Sequence, residues 1–180
     1  LSIAAHGHVN PTLGLVSELI KQGEEIIYFC EEDFREKIEK TGAEFKSYKI
    51  EARKHNASKN MAIDKILDRI NEMLKSSDEL TKDILDQIKD EKFDYIIYTS
   101  MFPFGNAIAQ ILRIPSVSSF AVFATPKELM SEHQELVDSK LIENHPAMAT
   151  YKKVSRQLKE EYNVEMPHNI FELFFNKGDI

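Results

Sequence analysis

Short apolar runs alternate with amphipathic stretches along most of this 180-residue chain, and that alternation constrains the fold more than any other feature. "LSIAA" has the length and composition of a strand. Pro11 to Gln22 follows as a helix with Leu13, Val16, Leu19 and Ile20 on one side and Gly23 as its stop. "EEIIYFC" predicts a second strand, Glu31 to Thr41 a charged helix ended by Gly42, and "EFKSYKI" a third, weaker strand. From Met61 to Lys89 the apolar residues keep helical spacing, with "KSSDE" as a break. "YIIYTS" is a continuous run of the kind buried on both faces of a parallel sheet. A helix from about Phe104 to Leu112 and a fifth strand in "IPSVSSF" complete the series. Beyond Thr125 the pattern is mostly helical, punctuated by Pro146 and Pro167, and shows no sixth strand. The expected fold class is therefore α/β: a Rossmann-like, mostly parallel sheet with right-handed crossovers and helices on both faces.

The length suits one domain, 1–180, with a core of its own. A hydrophobic content of 42% against 29% charged residues excludes the disordered and collagen-like classes, and no apolar run is long enough to cross a bilayer. The net charge of -7 argues against a nucleic-acid partner, which wants clustered Lys and Arg. The single cysteine, Cys30, has no partner for an intramolecular disulfide and sits at the end of an apolar run, as a buried free thiol would. One thiol and abundant lysine favour the cytoplasm.

In open α/β sheets, ligands bind outside the carboxyl ends of the strands, where strand order reverses. Those ends carry His6 and His8 after the first strand, Tyr98, Thr99, Ser100 and Phe102 at the fourth, and Ser118, Ser119 and Phe120 at the fifth. Dinucleotide binding is disfavoured because "AAHGHVNP" offers only Gly7 where a glycine-rich turn is needed. No P-loop and no Gly-x-Ser-x-Gly elbow occurs, so neither a bound nucleotide of that type nor a serine hydrolase is indicated. His6 and His8 at i, i+2, without a nearby Cys, Asp or Glu, make a poor metal site. What survives is a histidine acting as general base at the head of a helix, where the dipole favours the neutral imidazole. A lone loop histidine is more often structural, so the residue by itself leaves the role open.

The segment as a whole carries more information. "AAHGHVNPTLGLVSELIKQGEEIIYF" resembles the N-terminal hallmark of the nucleotide-sugar-dependent glycosyltransferases of the GT-B fold, in particular the bacterial macrolide and flavonoid branch. "FDYIIYTSMFPFGNAIAQILRIPSVSS" is similar to that family's fourth strand, helix and fifth strand, so agreement runs from Ile3 to about Phe120, and the helical tail matches the acceptor-binding insert more loosely. The resemblance implies that 1–180 is the acceptor-binding domain and that the sugar-nucleotide domain lies outside this chain. It implies an inverting transfer from a nucleotide sugar, UDP-glucose, to a hydroxyl of a small hydrophobic acceptor such as a flavonoid or macrolide, with no cofactor and no metal.

By the same resemblance His8 is the general base, and His6 is a packed or solvated turn residue. Asn10 and Pro11 suit a helix cap and first helical position. Phe102, Ser118 and Phe120 are expected to line the acceptor pocket with apolar residues from Met61 to Leu74; the plain alternative is that both phenylalanines are core. One departure stands out: relatives carry an aspartate after the fourth strand to orient the histidine and stabilise its charged form, and the aligned residue here is Thr99. A hydroxyl can orient the ring and cannot neutralise it. That missing carboxylate is the feature that favours a rival reading, a non-catalytic small-molecule binding module on the same fold, and a third possibility is a structural domain with incidental histidines.

Overall fold

The computed structural model describes residues 1–49, 63–102, 104–121, 143–168 and 170–173. Helix α1, His6–Lys21, leads to strand β1, Ile27–Cys30; a 3-10 turn, Glu32–Phe34, runs into α2, Arg35–Glu39, and then β2, Glu44–Ser47. Helices α3, Ile63–Lys75, and α4, Ser77–Gln87, precede β3, Ile96–Thr99. Helix α5, Gly105–Leu112, β4, Ser116–Ser119, α6, Pro146–Tyr162, and a 3-10 turn, Ile170–Leu173, follow. The strands form two parallel pairs, β1 with β2 and β3 with β4.

The opening segment joins the two pairs. The Leu1 nitrogen donates to Ile97 O at 2.8 Å, and Leu1 O accepts from Thr99 N at 3.0 Å, the bonding of a parallel partner opposite Tyr98. On the other side Ser2 N donates to Phe29 O at 3.1 Å. "LSIAA" was expected as a strand; its first two residues bond like one, but they are too few to form a ladder, and Ala5 already caps α1. The hydrogen-bonded order across the sheet is β2, β1, Leu1–Ser2, β3, β4, so the chain winds outward in both directions from the opening segment. The reversal of strand order falls between Leu1–Ser2 and β3.

Alternation along β1 sorts its side chains between two layers. Tyr28 and Cys30 pack with Val9 and Val16 of α1, Phe34, and Ile38 of α2. Phe29 faces the opposite cluster, where Leu67, Ile70 and Leu74 of α3 meet Ile84 of α4, Ile108 of α5, and Tyr151 and Leu158 of α6. This is the helix–sheet–helix sandwich expected from the alternating pattern. Cys30 is fully buried as a free thiol, and burial pushes it up to about 12.

The boundaries of α1 correct the sequence reading. The helix begins at His6, with Ala5 as its cap and no side-chain capping bond, so Asn10 is not the cap and Pro11 lies inside the helix. Both His8 N and Val9 N donate to Ala5 O at 2.9 Å, which starts the helix five residues before Pro11. The bond that Pro11 cannot make would have gone to Gly7 O, and Gly7 is exposed, so the loss falls at the surface rather than in the core. The other end is as expected: Gly23 takes φ +97°, Gly23 N bonds Ile20 O, and Glu24 N bonds Leu19 O, closing the helix in a left-handed turn. Gly42 ends the next helical stretch in the same way, at φ +96°.

Two glycines separate packing from propensity. A Cβ on Gly105 would overlap Cβ and Cγ of the buried Tyr98, whereas one on Gly14, in the middle of α1, meets nothing within 4 Å. Gly105→Ala is expected to cost about 2 kcal/mol or more by forcing β3 and α5 apart, and Gly14→Ala to add about 0.5–1 kcal/mol. Urea unfolding of the two variants checks this; equal effects would contradict the close approach of α5 to β3.

Candidate functional site

His8 occupies the first turn of α1, and Thr99 is the last residue of β3. The His8 Nδ1 and Thr99 Oγ1 atoms lie 2.7 Å apart, within hydrogen-bond distance across the switch point between the opening segment and β3. Thr99 is 3% exposed and its neighbour Ser100 is also buried, so the partner of the ring is held by the sheet rather than by a loop. His8 itself is half-buried. Burial holds its pKa below the usual imidazole value, and its place in the first turn of a helix acts in the same direction. Both effects favour the neutral imidazole.

A neutral imidazole has one N–H and one lone pair. If Nδ1 carries the proton it donates to Thr99 Oγ1, and the lone pair on Nε2 is left to accept a proton from a ligand. The first turn of α1 is fixed from below. Thr12 Oγ1 donates to Val9 O at 2.8 Å and, having spent its proton, accepts from Tyr28 OH at 2.7 Å. Thr12 and Tyr28 were not singled out in the sequence; the available signal was that Thr12 stands four residues from His8, on the same side of the helix. Tyr48 was missed as well. Its buried hydroxyl shares its one proton between Ser2 O at 3.0 Å and Phe29 O at 3.2 Å, tying the opening segment to β1.

The other sequence-selected residues are dispersed. His6 is exposed and stands edge-on to Phe34, with ring centroids 5.0 Å apart, the packed turn residue expected of it. Phe102 is 4% exposed and belongs to the core: it stacks on Tyr48 at 5.8 Å and meets Phe104 edge-on at 6.5 Å. Phe120 is 36% exposed just beyond β4. Ser118 Oγ is buried without a hydrogen-bond partner among the described residues. Leu67, Ile70 and Leu74 are in the same core as Phe102, while Met61 lies outside the described residues. No group of three or more His, Cys, Asp or Glu among the described residues is placed to hold a metal, and no described helix is long and apolar enough to cross a membrane.

A parallel sheet wound outward from its first segment, with helices on both faces, is the Rossmann-like architecture of the N-terminal half of GT-B glycosyltransferases. Two solved structures share that fold over 96% of this chain. They are the glycotransferase of kitacinnamycin, with a TM-score of 0.71 at 18% identity over 42% of that chain, and CalG4, the calicheamicin glycosyltransferase, with 0.69 at 25% identity over 43%. The chain belongs to the glycosyltransferase family 28 N-terminal domain family, whose model matches residues 5–110. It is 28% identical over its whole length to the uncharacterized UDP-glucosyltransferase YojK of Bacillus subtilis, covering 45% of it. It is also 25% identical over 92% of its length to the oleandomycin glycosyltransferase of Streptomyces antibioticus, covering 39% of that protein. The chain thus spans less than half the length of the curated relatives it matches.

The depressed pKa of His8 has a consequence for stability. Unfolded His8 takes up a proton near its ordinary pKa, whereas folded His8 resists it until lower pH, so stability is lost as pH falls through about 6.5. Lowering the pH from about 7.5 to about 5.5 is expected to destabilise the natural chain more than His8→Gln. Parallel losses in both, by urea unfolding at the two pH values, would contradict the burial of the ring. A double-mutant cycle of His8→Ala and Thr99→Val should give a coupling of about 1 kcal/mol.

Proposed function

We propose that this chain is the acceptor-binding domain of an inverting glycosyltransferase and that His8 is its general base. The acceptor is a small hydrophobic molecule with a hydroxyl group, of the flavonoid or macrolide kind, and the donor is a UDP-sugar, UDP-glucose. His8 Nε2 takes the proton of the acceptor hydroxyl; the freed oxygen attacks the anomeric carbon from the face opposite the nucleotide. The bond from that carbon to the diphosphate breaks, UDP leaves with the electron pair, and the configuration inverts. The donor is held by a C-terminal domain of the whole protein, no resident cofactor takes part, and the cytoplasm is the compartment. The single observation that carries this reading is the 2.7 Å contact between His8 and Thr99 at the switch point. It orients the ring and leaves one nitrogen for the substrate. Relatives named as a UDP-glucosyltransferase and as an oleandomycin glycosyltransferase support the substrate classes.

Thr99 tunes the base. A hydroxyl orients the imidazole but gives no ion pair to the imidazolium formed on proton transfer, so His8 is a weaker base than one backed by a carboxylate. Acceptors with acidic hydroxyls suffer least, which favours phenols, of pKa near ~10, over aliphatic alcohols. Ser118 and Phe120, on and just past β4, are the residues we assign to acceptor contacts; Phe102 is in the core, against Tyr48 and Phe104. The same threonine is the observation that favours the second reading, a binding module without turnover.

The test uses the whole protein, with its C-terminal domain, and a UDP-sugar. His8→Ala should lower kcat/KM by about a hundredfold or more on every acceptor. Thr99→Asp should raise the rate on an aliphatic alcohol more than on a phenol. The 180-residue chain alone should bind phenols and form no glycoside. Survival of activity in His8→Ala would remove the general base. No turnover by the natural whole protein, with acceptor binding intact, would establish the binding module.

A further inference from the structure

Tyr48, the residue after β2, touches both of the chain segments that carry the His8–Thr99 pair. Its hydroxyl, which lies 3.0 Å from Ser2 O and 3.2 Å from Phe29 O, holds the segment that leads to Ala5, the cap of the helix presenting His8. Its ring stacks on Phe102, with centroids 5.8 Å apart and planes within 12° of parallel. Phe102 N in turn donates to Thr99 O at 2.7 Å, closing the turn directly behind Thr99. One side chain therefore spans the seam, its polar tip on the arm that leads to His8 and its face on the turn that follows Thr99.

A side chain that positions others must itself be fixed. Helix α4 grips the backbone on either side of Tyr48: Gln87 Nε2 donates to Ser47 O at 3.0 Å, and Asp83 Oδ2 accepts from Lys49 N at 2.9 Å. Gln87 Nε2 also donates to Asp83 Oδ1 at 3.1 Å, so the two gripping side chains are joined. Phe29 packs against the same tyrosine ring at 5.9 Å. Burial pushes the phenol well above the ordinary tyrosine value, so the hydroxyl keeps its proton and remains a donor.

We propose that Tyr48 is a positioning residue of the candidate site: held by α4, it sets the separation of Thr99 from the His8 ring and with it which ring nitrogen keeps the proton. Distance makes the pair sensitive. A retreat of Thr99 by about 1 Å would carry the 2.7 Å contact beyond hydrogen-bond range, and removing the ring behind Phe102 opens the space for such a retreat. Without the Thr99 hydroxyl in reach, nothing in the pair selects Nδ1 over Nε2 for the proton. Only the kinetic consequence rests on His8 being the base; the tautomer follows from the geometry alone.

The two handles of Tyr48 can be separated. Tyr48→Phe keeps the stack and removes the hydroxyl, whereas Tyr48→Leu removes both. Nitrogen-15 NMR should show the Nδ1 preference of His8 reduced in Tyr48→Phe and reduced further in Tyr48→Leu; the milder variant carries the test if the other does not fold. In the whole protein, with a UDP-sugar and a phenol, kcat should fall by about tenfold in Tyr48→Leu and acceptor KM should change less than about twofold. Adding either substitution to Thr99→Val should move the tautomer no further, because the group through which Tyr48 acts is gone. Tyr151→Phe is the control for lost stability, since it also removes a buried phenol that bonds a backbone carbonyl, that of Pro167. It should lower Tm and leave His8 unchanged. An unmoved His8 tautomer in every folded Tyr48 variant, or an equal shift in Tyr151→Phe, would overturn the positioning role. A shifted tautomer with kcat unchanged would uphold that role and count against His8 as the base.

Discussion

The backbone of Leu1 and Ser2, hydrogen-bonded to β1 on one side and β3 on the other, is the constraint on which the rest of the molecule depends. Each strand pair by itself is a two-stranded ribbon, which is marginal in water. Threading the opening residues between them makes one sheet and creates the reversal of strand order. The join is reinforced by Tyr48, whose hydroxyl bonds Ser2 O and Phe29 O while its ring stacks on Phe102. Phe102 is valuable here as a support for the seam, three residues beyond Thr99. Removing this buried phenol takes away the hydroxyl that serves Ser2 O and leaves Phe29 O with the Ser2 N–H alone, so the seam is sensitive to its loss.

The site inherits its geometry from that seam. Ala5 caps α1 directly after the opening segment, so the distance in chain from the sheet to His8 is short and stiff. Thr99 belongs to the strand on the other side of the same seam, so the two side chains meet because the opening backbone pairs with β3. A second set of bonds, from Tyr28 through Thr12 to Val9 O, holds the first turn of the helix against β1. The result is an oriented imidazole whose burial favours the neutral form, with a hydroxyl behind it and no metal-binding cluster among the described residues. Such a group suits proton transfer at neutral pH, where a base of lowered pKa stays unprotonated.

Much of this was legible in the sequence. The apolar runs located β1, β2, β3 and β4, and the helical spacing located α3 and α4 together with their break near Ser76, because burial imposes those periods directly. Gly23 and Gly42 marked helix ends because both adopt positive φ. The start of α1 was misplaced for a physical reason. Proline is favoured at a first helical position, but here pairing of the opening residues releases the chain into the helix at His6, and an exposed Gly7 tolerates the bond that Pro11 cannot make. The strand-end rule put His8 and Thr99 among several candidates and left a histidine base as an open role; the resemblance singled the two out. Thr12, Tyr28 and Tyr48 escaped because a buried hydroxyl bonding backbone has no sequence period.

In the function proposed above, Thr99 holds His8 as a neutral base with its free lone pair on Nε2. Nitrogen-15 NMR of the histidine rings across a pH titration tests it most directly, since the chemical shifts distinguish a protonated ring nitrogen from one bearing a lone pair. The expected result is a His8 pKa below the ordinary ~6.5 and, above it, a proton on Nδ1, with that preference weakened in Thr99→Val. A His8 that titrates above that value, or that carries its neutral-form proton on Nε2, would contradict it.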